Sequence, residues 1–168
     1  MSTRRSAPGP VLAYFLTWTC YGTRLHGDAR GSVDRRHSSY GHPGVAVNQQ
    51  RADYLSSQLK DEPFLLDAPR RHAVESAVRR TCDLKDWRLH ALNVRSNHVH
   101  AVITAPGRPE PVMTSLKAWA SRRMIELGLC RRDQPRWTDH GSTRYLWSHD
   151  AIERACHYVT NQQGDDLG

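Results

Sequence analysis

Two strand-like runs separated by only three residues constrain this chain more than any other feature. Residues 87–94 and 98–104 are rich in apolar side chains, and only Arg95-Ser96-Asn97 lies between them. Parallel strands need a crossover of a dozen or more residues, so a link this short predicts an antiparallel hairpin. The second run reads His98-Val99-His100-Ala101-Val102-Ile103. Side chains alternate across a strand, so His98 and His100 share one face while Val99, Ala101 and Ile103 share the other. One face of the hairpin is therefore apolar and must be covered. The other presents two adjacent imidazoles, half of a metal site on a rigid support.

The remaining elements are arranged around this hairpin. Residues 11–20 are aromatic and β-branched and read as a buried first strand. Residues 22–53, rich in Gly, His, Arg and Ser, read as a long irregular loop insertion. A helix is predicted over 67–84, with Asp67 as N-cap, Pro69 in the first turn, and Val74, Ala77, Val78 and Cys82 on one face. A second helix is predicted over 110–127 from the spacing of Met113, Leu116, Ala120, Met124 and Leu127. Residues 144–147 form a short strand or edge, and Ser148 caps a last helix over 149–163 that stops at Gly164. The order β-α-β-β-α-β-α predicts an α+β, ferredoxin-like fold: an antiparallel sheet with helices on one face, followed by a C-terminal helix.

With 168 residues, a single domain spanning 1–168 is expected, with 1–10 flexible. No apolar run approaches the roughly 18 residues of a membrane helix, and Met1–Pro10 has no apolar stretch of signal-peptide length. The four cysteines, Cys20, Cys82, Cys130 and Cys156, form no CxxC pair. Reduced thiols and a cytoplasmic protein are therefore expected. The net charge of +7 and pI of about 9.6 favour a polyanionic partner.

The last helix carries an apolar stripe of Ile152, Ala155, Cys156 and Val159. Tyr158 and Gln162, four residues apart, stack on the flank of that stripe, where a helix edge meets a sheet.

These residues resemble the single-tyrosine HUH transposases, the IS200-like group and its REP-associated relatives. Asn97-His98-Val99-His100 matches the histidine–hydrophobe–histidine motif, and Tyr158 with Gln162 matches the distant tyrosine and polar ligand. Thr17-Trp18-Thr19-Cys20-Tyr21-Gly22-Thr23, Leu25-His26-Gly27-Asp28, Gly31-Ser32-Val33-Asp34, Leu89-His90-Ala91-Leu92-Asn93-Val94 and Gly141–Trp147 resemble the branch with a long first loop. The resemblance extends over roughly residues 12–164. It implies that His98, His100 and Gln162 hold a divalent ion, Mg2+ or Mn2+, and that Tyr158 is the nucleophile carried by the C-terminal helix. It also implies single-stranded or hairpin DNA as substrate, cleaved and transferred through a 5′-phosphotyrosine. Monomer and homodimer both occur among such proteins.

Other readings stand beside this one. A phenol of ordinary pKa, about 10, is protonated at neutral pH and needs activation. Two imidazoles and an amide are a lean, uncharged set for magnesium, whereas imidazole also suits manganese, zinc or nickel. Tyr145 is the rival nucleophile, without a ligand partner one turn away. Arg70, Arg71, Lys117, Arg122, Arg123, Arg131 and Arg132 are either solvated surface or phosphate contacts. The five tryptophans are packing groups, with Trp137 the first candidate for stacking on a base. A non-catalytic DNA-binding regulator with the same fold is the alternative function.

Overall fold

The computed structural model describes residues 9–23, 53–54 and 57–161. Residues 1–8, nearly all of the expected 22–53 loop, and Gln162 lie outside the described residues. Four strands, β1 (Ala13–Thr19), β2 (Arg88–Val94), β3 (His98–Thr104) and β4 (Ser142–Leu146), form one sheet in the order β2-β3-β1-β4. All three neighbouring pairs are antiparallel. With helices α1 (Ala68–Leu84) and α2 (Pro109–Glu126) as crossovers, this is the ferredoxin-like arrangement, and α3 (His149–Asn161) follows as an addition.

Local chemistry sets the helix starts. The Asp67 carboxylate accepts from the Arg70 amide at 3.0 Å, and the Ser148 hydroxyl accepts from the Ala151 amide at 3.1 Å. β4 runs Ser142–Leu146, so it begins two residues before the expected 144–147 edge and ends one residue earlier. Ser142 and Thr143 join the edge through backbone pairing with Thr17 and Leu16, which requires no apolar side chain.

The alternation of β3 divides the molecule into two cores. Val99, Ala101 and Ile103 join Leu16 and Trp18 of β1 beneath α1 and α2, against Val74, Val78, Leu116 and Met124. Val102, Ala13 and Leu146 face the other way and are covered by Ile152, Ala155 and Val159 of α3. A 13-residue helix is marginal on its own in water. Burying Ile152 and Val159 contributes roughly 3–6 kcal/mol towards holding it on the sheet. Among the described residues, the second face, which carries the histidines, is roofed by α3.

Candidate active site

His98 and His100 lie on the α3 face of β3, with ring centroids 4.6 Å apart. His100 is nearly enclosed, with 7% of its surface exposed, whereas His98 is half-buried at the strand start. Each ring is oriented through its Nδ1. The Asn97 Oδ1, an acceptor only, lies 2.6 Å from His98 Nδ1. His98 therefore donates from Nδ1, and its neutral form carries the lone pair on Nε2. The Thr17 hydroxyl lies 2.7 Å from His100 Nδ1. With that oxygen accepting, His100 adopts the same tautomer. Polar partners on the second nitrogen are the usual means of orienting metal-binding imidazoles. Asn97 stands inside the motif, but neither its role nor that of Thr17, 80 positions upstream, follows from the motif spacing.

α3 delivers Tyr158 to the same place. Its ring centroid lies 6.0 Å from that of His100, and Phe15 of β1 completes a triangle, 5.5 Å from His100 and 5.9 Å from Tyr158. Tyr158 keeps 41% of its surface exposed. On the neighbouring strand, Phe15 is the register partner of Arg144. Antiparallel partners project to the same side, which puts the exposed Arg144 on the face of the histidines. Sequence reading passed over this residue and over Phe15.

The rival tyrosine is elsewhere. Tyr145 pairs with Tyr14, whose side chain belongs to the core under α1 and α2, and its ring meets Tyr14 edge-on at 5.5 Å. It stacks on Trp147 at 5.8 Å, on the face away from His98 and His100.

Five of the seven basic candidates lie on α1 and α2, across the sheet from the histidines, while Arg131 and Arg132 follow α2, and the seven divide by what holds them. Arg70 donates to the Leu129 and Leu65 carbonyls at 2.9 Å each and covers the Phe64 ring. Lys117 donates to the Thr138 and His140 carbonyls at 2.7 and 3.0 Å, and burial lowers its pKa. These two are structural ties. Arg131 pairs with Asp61 and Asp133, Arg123 with Glu126, and Arg122 stacks over Trp119. Arg132 is exposed and Arg71 half-exposed. Trp137 is a packing group: its indole donates to Ser121 Oγ at 2.9 Å, and its ring meets buried Trp18. The more exposed indoles are Trp119 and Trp147.

Among the described residues no group of three or more His, Cys, Asp or Glu side chains could hold a metal ion. The residues present fit two ligands of a divalent site, with Gln162 outside the described residues. Two oriented, neutral-capable imidazoles on one rigid strand suit a borderline cation whose remaining positions come from elsewhere. Among the described residues no helix is long and apolar enough to cross a membrane.

The fold is a ferredoxin-like sheet with paired histidines on the face covered by the tyrosine-bearing helix. The family model described as "Transposase IS200 like" matches residues 44–162, more than two thirds of the chain. The chain belongs to the IS200-like transposase family. Among solved structures, it is similar to a REP-associated tyrosine transposase bound to a REP hairpin, at 13% identity and a TM-score of 0.47 over 95% of this chain and 70% of that one. It is also similar to a transposase described from Deinococcus radiodurans R1, at 17% identity and a TM-score of 0.46 over 98% of this chain and all of that one. No curated protein matches.

Proposed function

We propose that this transposase-family chain cleaves single-stranded or hairpin DNA with Tyr158 as nucleophile and rejoins it by reversing the same step. The observation that carries the reading is the cluster of His98, His100 and Tyr158, from strand and helix segments 58 residues apart. His98 and His100 would hold a divalent ion, manganese or magnesium, with Gln162, four residues past Tyr158 in sequence, as third ligand. Bound there, such an ion supplies neutralisation of the non-bridging oxygens of the scissile phosphate.

In the forward step the Tyr158 oxygen bonds to phosphorus and the P–O3′ bond breaks. The phenolic proton passes to solvent and the departing 3′-oxygen takes one up. The product is a 5′-phosphotyrosine and a free 3′-hydroxyl. Attack by a DNA 3′-hydroxyl on the phosphotyrosine runs the step backwards and needs no nucleotide cofactor. Phe15 packs beside both the His100 and Tyr158 rings, and Arg144 meets a phosphate on the same face.

The test is incubation of the full chain with a hairpin-bearing single-stranded oligonucleotide and Mn2+, followed by denaturing electrophoresis. A covalent adduct with wild type, absent with Tyr158→Phe, is expected. Tight DNA binding without adduct in either protein would replace this reading by a non-catalytic DNA-binding role.

A further inference from the structure

We propose that Asn93 is a positioning residue for Tyr158, fixing the rotation of α3 so that the tyrosine faces His100. This rests on the reading of Tyr158 as nucleophile.

Asn93 is the register partner of His100 across the β2–β3 ladder. Its side-chain amide donates to the Val159 carbonyl at 2.9 Å. Val159 follows Tyr158 directly and is fully buried. One side chain thus stands beside a proposed metal ligand and holds the backbone next to the proposed nucleophile.

A defect in the strand puts Asn93 there. β2 carries a bulge between Leu89 and Ala91, where the register against β3 shifts. Leu89 and Leu92 both pack into the core under α1 and α2, whereas Ala91 lies in the core under α3. In an unbroken strand, Leu89 would put residues 91 and 93 on its own side. The extra residue at His90 reverses that parity and turns Asn93 towards α3.

The hydrogen bond does what the apolar contacts cannot. Ile152, Ala155 and Val159 bring α3 down onto the sheet, but burial has no preferred direction. Each residue step turns a helix by about 100°, so a small rotation about its axis swings Tyr158 away from His100. A directional bond to the carbonyl adjacent to Tyr158 sets that rotation.

The experiment compares wild type with Asn93→Asp, which keeps the shape but loses the donor, and Asn93→Ala. Adduct formation is measured in a single turnover at saturating hairpin oligonucleotide with Mn2+, well below each melting midpoint. DNA affinity is measured separately by anisotropy. Adduct rates roughly ten- to a hundredfold lower with unchanged affinity are expected. Wild-type rates in both variants would overturn the proposal, as would a fall in rate matched by an equal loss of affinity.

A second readout stands apart from catalysis. Nuclear Overhauser contacts between the Tyr158 and His100 rings are expected in wild type and absent in Asn93→Ala, while contacts of the Val159 methyls to the sheet persist. Ring contacts that survive in both variants, or the loss of both sets together, would overturn the positioning role. If wild type gives no adduct at all, the nucleophile reading falls, and the ring contacts alone decide what Asn93 does.

Discussion

The rings of His100 and Tyr158 stand 6.0 Å apart at 75°, one from the interior of a strand and the other from the flank of the last helix. Neither residue alone distinguishes an enzyme from an ordinary small domain. Their meeting depends on α3 packing on the face of the sheet that α1 and α2 leave uncovered.

The groups behind the histidines should matter nearly as much as the histidines. Asn97→Ala and Thr17→Val each remove the oxygen at one Nδ1 while leaving the imidazole in place. Each is expected to weaken Mn2+ binding to the DNA complex by roughly ten- to a hundredfold, measured by calorimetry. His98→Ala should weaken it further. Unchanged affinity in both orienting variants would mean that the rings are held by packing alone.

Basic residues should separate into two kinds. Arg144→Ala, on the histidine face, is expected to weaken binding of single-stranded DNA and to reduce the dependence of log K on log salt by about one unit. Arg70→Ala removes two bonds to backbone carbonyls and the cover over Phe64. It should lower the melting temperature and leave the salt slope unchanged. The reverse pattern would move the DNA path to the helical layer.

Gly141 immediately precedes β4 and is closely enclosed. A Cβ there would lie 2.5 Å from the Thr17 carbonyl oxygen and 2.6 Å from Met113 Sδ. Met113 can turn away, but the Thr17 carbonyl belongs to the strand that orients His100. Gly141→Ala is expected to cost about 1–3 kcal/mol in denaturant unfolding. An unchanged midpoint would show that the end of β1 yields freely.

His90, the extra residue of the bulge, supplies a pH dependence. Burial, reinforced by Arg88, holds its pKa below the ordinary 6.5. Its Nε2 lies 2.8 Å from the Thr104 hydroxyl, which itself donates to the Leu12 carbonyl, so a neutral ring donating from Nε2 fits. The folded state therefore binds this proton more weakly than the unfolded state. The resulting stabilisation is complete above pH 6.5 and is lost as pH falls through the lower folded value. An NMR titration should give His90 a midpoint below 6.5, and a midpoint at or above it would contradict the account.

Much of the arrangement is legible in the sequence because it rests on local periodicity. The three-residue turn requires the hairpin, alternation puts His98 and His100 together, and the spacing of Ile152, Ala155 and Val159 gives α3 its buried stripe. The features that escape such reading arise from breaks in periodicity or from distant backbone. Leu89 and Leu92 are three apart, which fits no simple alternation, so the side taken by Asn93 appears only with the bulge. Lys117 and Arg70 look like solvated cations on helix faces until the carbonyls of Thr138, His140 and Leu129 come round to meet them. Ser142 and Thr143 have loop chemistry but strand pairing, because an edge needs only a neighbouring backbone.

The most direct test of the central claim is mass spectrometry of the covalent species after digestion of both protein and DNA. The account predicts one modified peptide, with a 5′-linked nucleotide on the hydroxyl of Tyr158 and formed only when divalent metal is supplied. A nucleotide on Tyr145 or any other residue, or a cleaved DNA strand with no protein attached, would contradict it.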